Sequence, residues 1–365
     1  MFTKRISEKK RPHLAGFKKG QYPCSMDEKK NHGKDKSPFV PFDMLDPELV
    51  LESVEEGYGL ELESTLYSCA SYVNRVFGLR DVGGKEYIAK FYRPQRWSYA
   101  QILEEHRFVQ TLAQHEVPVV CPFPNQEGDT LQTLIIEENG KPDQEMYFAL
   151  YPKLKGFPFD PEGEKDYVRM GALLGHLHVV GSQFSLAERG RFPPLAPLEL
   201  LAYFTETFEI EEEIQNNLRE VAARLDAALS PIVSGYAPIT LHGDFHRGNL
   251  IDCGEQGLFV IDFDDMIAGP PLQDLWVLLP DHASRCPQEL RHILKGYREF
   301  YQIELADPCH LEVFRLYRMF HYLYWQAQQR YDRAFYHHYP EWGTKKFWER
   351  TVADLLDQAE YLACV

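Results

Sequence analysis

The stretch Ile239-Thr-Leu-His242-Gly-Asp244-Phe-His246-Arg-Gly-Asn249-Leu-Ile-Asp-Cys-Gly-Glu-Gln-Gly-Leu258-Phe-Val-Ile261-Asp262-Phe-Asp264-Asp265 decides how this chain is read. It predicts a strand, a polar loop, a short strand pair and an acidic cluster closing the second strand. Asn249 lies five residues after Asp244, and Asp262 lies thirteen after Asn249. Phosphoryl transfer needs these residue types in this order. One carboxylate orients the attacking hydroxyl and accepts its proton, which assigns Asp244 as the base. Mg²⁺ neutralises phosphate charge and prefers hard oxygen ligands, which assigns Asn249 and Asp262 to the metal. Asp264 or Asp265 would assist a second ion, and the sequence does not choose between them. A turn that merely caps its own backbone explains the polarity. It does not explain why acids flank an apolar strand at both ends of a hairpin.

Upstream, Tyr87-Ile-Ala-Lys90-Phe-Tyr92 alternates as a strand with Ile88, Lys90 and Tyr92 on one face. Leu66 to Phe77 predicts two strand segments around a small polar turn, and Gly83-Gly84 turns the chain into the Lys90 strand. Ser98 with Gln101 forms a capping box, and Trp97 with Ile102 a hydrophobic staple, so a helix starts here and runs to about Gln114. Ile102, Val109, Leu112 and Ala113 define its buried stripe, with Glu105 inside the stripe and Glu104 pointing away. A buried carboxylate requires a partner, and Lys90 is the obvious one. Such a Lys–Glu pair aims an ammonium at ATP phosphates; the bland alternative is a lysine snorkelling at a sheet rim. Leu131 to Ile136 and Glu145 to Leu150 predict a hairpin around Asn139-Gly140, and a lobe boundary falls near residue 152. A crossing segment there has backbone groups suited to an adenine edge.

Downstream, Lys165 to Gly181 predicts a helix with Leu173, Leu174 and Leu177 as core, and Leu201 to Leu229 a second, acid-rich helix. Asp274, after Gly269-Pro-Pro-Leu-Gln, reads as a helix N-cap. Residues 285–305 and 311–333 add further helices. Phe314, Tyr317, Phe320 and Tyr324 form an aromatic stripe that reads as core. The run from Arg330 to Tyr339 is a candidate rim for a substrate cleft.

The 365 residues suffice for two or three domain-sized units. Residues 1–40 carry eleven Lys or Arg against four Asp or Glu, a balance of +7; with a total of −16, the remainder stands at −23. So acidic a body argues against nucleic acid or an anionic membrane as main partner. The tail is poor in apolar side chains and is expected to lack stable structure. No stretch approaches the ~18 apolar residues of a membrane span. Seven scattered cysteines, odd in number and without Cys-x-x-Cys, fit free thiols in a reducing, cytoplasmic setting. His176 and His178 face apart on a helix, and His242 and His246 bracket Asp244, so neither pair argues for a metal.

Taken together, these pieces resemble the aminoglycoside/choline kinase group, which is similar in fold to protein kinases. The residues that carry the likeness are Ser68-Cys-Ala-Ser71-Tyr-Val-Asn74-Arg-Val, Ala89-Lys90-Phe-Tyr-Arg-Pro94, Gln101-Ile-Leu-Glu-Glu105-His, Leu241-His-Gly-Asp244, Gly248-Asn249, Asp262-x-Asp264-Asp265, Gly269-Pro270 and Gln273-Asp274-Leu-Trp276. The likeness covers roughly 45–365. It implies an α+β, two-lobed protein-kinase-like fold: a disordered basic tail over 1–40, a small β-rich nucleotide-binding lobe over 41–152, and a larger, mainly helical catalytic lobe over 153–365. It implies ATP as co-substrate, Mg²⁺ on Asn249 and Asp262, Asp244 as base, Ser71 and Lys90 approaching ATP, and Glu105 holding Lys90. The acceptor it implies is a protein serine or threonine, and the expected state is a monomer. A Gly-x-Gly-x-x-Gly loop is missing, so the Ser71–Arg75 turn must cover the phosphates. Between Asp265 and Asp274 there is no room for a long activation loop. That keeps two other readings open: a kinase of a small hydroxyl compound, such as an amino alcohol, sugar or aminoglycoside, and a nucleotide-sensing module with little turnover.

Overall fold

The computed structural model describes residues 3–6, 42, 45–71, 73–137, 144–332 and 335–362. The chain divides into two compact units, Met1–His106 with Cys121–Lys153, and Arg107–Val120 with Leu154–Val365.

The first unit is built on a six-stranded antiparallel sheet. Its elements are β1 (Thr3–Ile6), α1 (Pro47–Tyr58), β2 (Tyr67–Ser68), β3 (Arg75–Arg80), β4 (Glu86–Phe91), the first half of α2 (Tyr99–Gln114), β5 (Gln132–Glu137) and β6 (Gln144–Pro152), with strand order β1-β5-β6-β4-β3-β2. The two-residue period of β4 sorts its side chains. Tyr87, Ala89 and Phe91 join Val50 and Val54 of α1 in one core cluster, while Tyr92 packs with Ile102 of α2 in another. Lys90 therefore shares the face that looks toward α2. Its register is set by Val76 on one side and Ala149 on the other. The predicted β5–β6 hairpin forms, with Leu134 opposite Met146; its Asn139-Gly140 turn lies outside the described residues. Within the tail expected to be unstructured, Thr3–Ile6 forms an edge strand on β5, with Thr3 opposite Glu137. Residues 7–41 lie outside the described residues.

Helix α2 begins as its sequence predicts. Ser98 N donates to Gln101 Oε1 at 2.9 Å, and Gln101 N donates to Ser98 Oγ at 3.2 Å. Trp97 packs against the cluster containing Ile102. Two expectations fail. Ala113 is exposed, and Glu104 is as buried as Glu105, at 0% and 2% exposure. The helix is covered over more than one stripe: His106 and Phe108 are buried as well as Ile102, Val109 and Leu112.

The second unit contains β7 (Phe157–Pro158), α3 (Glu164–Gly181), α4 (Pro197–Thr207), α5 (Glu212–Gly235), β8 (Ile239–Leu241), β9 (Leu250–Asp252), β10 (Leu258–Val260), β11 (Ile267–Gly269), α6 (Leu272–Leu275), α7 (Pro287–Tyr297), α8 (Cys309–Gln329), α9 (Phe335–His338) and α10 (Lys345–Glu360). Helices α3 and α7 meet backbone to backbone. A Cβ on Gly171 would stand 2.0 Å from the Ile293 carbonyl oxygen, and one on Gly175 would stand 2.4 Å from that of Tyr297. The single helix expected over 201–229 is two helices, α4 and α5. Between them Phe208 adopts extended backbone and sets its ring 5.1 Å from Trp342 and 5.9 Å from Trp348. Tertiary packing of one aromatic overrides helical propensity there. The stripe on α8 is core at Phe314, Tyr317 and Phe320, all buried, whereas Tyr324 is only half-buried. Cys69, Cys121, Cys253 and Cys286 are free thiols, whereas Cys309 is disulfide-bonded, so the all-thiol expectation fails at that position. Among the described residues no helix is long and apolar enough to cross a membrane.

Candidate active site

The polar loop 242–249 hangs between β8 and β9 and is tied down from three sides. Asn249 Nδ2 donates to the Asp244 carbonyl at 2.9 Å, which closes the loop on itself. The Ile261 amide donates to the Asn249 carbonyl at 3.0 Å, continuing the β9–β10 ladder one step beyond Leu250 and Val260. That bond brings the residue before Asp262 alongside Asn249. His242, fully buried, bridges the same elements: Nε2 donates to the Ile261 carbonyl at 3.0 Å, and Nδ1 accepts the Asp244 amide at 3.2 Å. So the five- and thirteen-residue spacings become one cluster built from local hairpin geometry.

Two backbone positions in this cluster are special. Gly243 has φ 86°, and a Cβ there would meet the Asp265 carbonyl oxygen at 2.0 Å. Only glycine lets the loop and the acidic turn approach so closely. Asp262 has φ 64°, a left-handed conformation that Asp tolerates better than most residues. It turns the chain sharply at the end of β10. The Asp262 side chain is exposed, Asp265 is half-buried and Asp264 is buried.

Asp244 is the electrostatic centre. Arg318 Nη2 donates to its Oδ1 at 2.9 Å, and His246 Nε2 lies 3.4 Å from Oδ2. Burial pushes the Asp244 carboxyl up, but the Arg318 charge and the His246 contact outweigh it and bring it down to about 2. The hydrogen bond to Asp244 raises His246 above its ordinary value, against burial.

Asp274 is not the N-cap that its sequence context predicts. It lies inside α6, fully buried, and accepts the amides of His242 at 2.8 Å and Gly243 at 2.9 Å. His178 Nε2 donates to it at 3.2 Å, and His178 Nδ1 accepts the Tyr297 hydroxyl at 2.6 Å. Burial drives the Tyr297 hydroxyl strongly upward, so it remains a donor. Arg189, also buried, donates to the Asp264 carbonyl at 2.7 Å and holds the acidic turn. Sequence reading missed Arg318, His178, Tyr297 and Arg189. None lies near the loop in sequence, and no local pattern marks them.

In the first unit, Lys90 Nζ stands 3.9 Å from Glu105 Oε1, both side chains almost wholly buried. The ammonium also lies 4.9 Å from the centre of the Tyr92 ring. Tyr92 is fixed in turn: its hydroxyl bonds His106 Nε2 and the Tyr151 hydroxyl, each at 2.9 Å, and His106 Nδ1 bonds Thr130 Oγ1 at 2.8 Å. Ser71 sits half-buried at the start of the turn after β2. The turn is held by Arg93, whose amide donates to Asn74 Oδ1 at 3.0 Å and whose Nε donates to the Val73 carbonyl at 2.9 Å.

Asn249 and Asp262 offer an amide oxygen and an exposed carboxylate, the donor set of a hard divalent cation. Since Asn249 spends its Nδ2 on Asp244, its Oδ1 is the atom left to face a ligand. Among the described residues no three His, Cys, Asp or Glu side chains gather into an all-protein metal cage. An ion completed by phosphate oxygens and water does not require one.

Known proteins resemble this chain in sequence and in fold. The APH phosphotransferase enzyme family matches residues 70–312. Stress response kinase A of Escherichia coli is 30% identical over 326 residues, 88% of this chain and 94% of that protein. The serine/threonine protein kinase RdoA of Salmonella typhimurium matches with the same identity and coverage. Among solved structures, the amicoumacin kinase hAmiN, in complex with AMP-PNP, Ca²⁺ and Ami, superposes with a TM-score of 0.68 at 20% identity, covering 87% of this chain and 95% of that one. The fold is thus that of the APH and choline kinases, and the chain belongs to the APH phosphotransferase enzyme family as a kinase.

Proposed function

We propose that this kinase transfers the γ-phosphate of ATP to serine or threonine hydroxyls of protein substrates, in a Mg²⁺-dependent reaction, in the cytoplasm. Asp244 orients the hydroxyl and receives its proton. Asn249 and Asp262 hold the metal, which when bound neutralises charge on the phosphate oxygens. Lys90, steadied by Glu105, and the turn at Ser71 approach the ATP phosphates. The observation that carries the reading is the tie of Asn249 both to the Asp244 carbonyl and to the Ile261 amide. It gathers Asp244, Asn249 and Asp262 on one hairpin, which supports reading them as proton acceptor and metal ligands. The protein-acceptor part leans on the two bacterial relatives, which are named for stress response and for serine/threonine phosphorylation.

A second reading has its own support. The sequence leaves no room for a long activation loop between Asp265 and Asp274, and the solved neighbour is a kinase in complex with a small molecule. Incubation with labelled ATP, alone, with generic proteins and with a metabolite pool, separates the two. Label on serine or threonine of itself or another protein is the expected result. Label confined to a metabolite overturns the protein-kinase reading, and no label in any arm overturns phosphotransfer by Asp244.

A further inference from the structure

One cation beside Asp244 has no task in that assignment. Arg318 lies in the middle of α8, 74 residues from Asp244, and its Nη2 donates to Asp244 Oδ1 at 2.9 Å. The two carboxylate oxygens are therefore unequal. Oδ1 accepts a short charge-assisted hydrogen bond, whereas the contact of Oδ2 with His246 is longer, at 3.4 Å. Ion pairs between long exposed side chains are often loose. This one is mounted on an anchored helix. Six residues earlier Glu312, buried, accepts the Ala283 amide at 2.7 Å, His282 Nδ1 at 2.8 Å, Arg315 Nε at 2.9 Å and Gln358 Nε2 at 3.0 Å. Adjacent Tyr317, also buried, donates its hydroxyl to the Leu195 carbonyl at 2.9 Å. Helix α8 is thus pinned where Arg318 leaves it.

We propose that Arg318 is a positioning residue for phosphoryl transfer: by capping Oδ1 it fixes the orientation of Asp244 and reserves Oδ2 for the acceptor hydroxyl. The proposal rests on Asp244 as the base. The charged and titratable groups facing Asp244 are Arg318 from α8, and His246 and His242 from its own loop. Burial works against the ionised carboxylate, and Arg318 is the first of the groups that offset it. A carboxylate held this way is a weaker base, so the gain from Arg318 lies in orientation.

Turnover of the full-length protein is followed as ADP release from Mg·ATP in wild type, Arg318→Gln and Arg318→Lys. In Arg318→Gln kcat should fall on the order of 10- to 100-fold with little change in KM for ATP, the signature of lost orientation, and Arg318→Lys should restore most of the lost kcat. Arg318→Met replaces the Gln variant if that protein does not fold. A folded neutral variant with unchanged kcat overturns the proposal, as does an Arg318→Lys protein no more active than Arg318→Gln. Failure of the base assignment itself reads differently, as full turnover in Asp244→Asn.

Discussion

The Asp274 carboxylate receives the backbone amide of His242 at 2.8 Å, and its second oxygen takes the next amide, Gly243, at 2.9 Å. An acid buried in α6 thereby holds the loop that presents Asp244, although it touches no atom of the Asp244 side chain in any contact described above. Removing it leaves two buried amides and the His178 imidazole unsatisfied. Asp274→Ala should cost about 3–5 kcal/mol of stability, the range for breaking a buried charged partnership. Asp274→Asn, which keeps one acceptor oxygen, should cost less. Urea unfolding of the three proteins checks the order; an Ala variant as stable as wild type contradicts it.

Asp244→Asn keeps the shape of the loop and removes the proton acceptor. Folding and nucleotide binding should persist while phosphoryl transfer falls by about 10²–10⁴-fold. A fluorescent nucleotide titration and a turnover assay on the same preparation test both halves. Asp262→Ala should differ from it by losing Mg²⁺-dependent ATP binding, read by isothermal titration with and without chelator. Unchanged Mg·ATP affinity in that variant would remove Asp262 from the metal assignment.

Part of this site is written in short sequence spacings and part is not. The tie between Asn249 and Asp244, and the meeting of Asn249 with Ile261, follow from a loop and a hairpin closed within about two dozen residues, so their spacing predicts them. The capping box at Ser98 and Gln101 is local for the same reason. Arg318 reaches Asp244 across 74 residues, and His178 reaches Asp274 across 96. No periodicity encodes such contacts, because they depend on how helices pack. The Glu104 error has a related cause. A helical phase predicts one buried stripe, but α2 is buried on more than one side, so Glu104 and Phe108 are enclosed along with Ile102. Phe208 ends α4 for the sake of Trp342 and Trp348, which lie far downstream.

Glu104 and Glu105 should now separate by phenotype. Glu105 Oε1 faces Lys90 at 3.9 Å, so Glu105→Gln should weaken ATP affinity and turnover with a modest loss of stability. Glu104 is fully buried, so Glu104→Ala should lower the melting temperature more than it lowers ATP affinity. Thermal melts paired with ATP titrations decide it. Equal effects of both changes on ATP affinity would refute the distinction.

The pH dependence of stability carries two signatures with opposite signs. Asp244 is depressed in the folded protein, to about 2. Its contribution is fully present above the ordinary carboxyl value near 4 and is lost as pH falls from there toward about 2. His246 is raised by its bond to Asp244. Its contribution is fully present below the ordinary value of about 6.5 and is lost as pH rises through the higher folded value. His246→Gln should therefore be less stable than wild type at about pH 5.5, with the gap closing by about pH 9. A gap that is constant or widens with pH contradicts the assigned direction.

The last prediction concerns residues 1–40. Their basic charge and scarcity of apolar side chains suggest that they are dispensable, yet Thr3–Ile6 pairs with β5 at the edge of the sheet. Removing them uncovers the backbone donors and acceptors of β5, and an open edge is a template for association. A chain starting at residue 41 should retain ATP turnover, since no assigned site residue precedes Ser71. It should also melt lower and associate at high concentration in proportion to the exposed edge. Light scattering over a concentration series, beside the full-length chain, measures this. If the truncated protein stays monodisperse with an unchanged melting temperature, the β1 pairing contributes nothing to the fold. If it loses most of its turnover, the amino-terminal segment has a role in catalysis that the assigned residues do not account for.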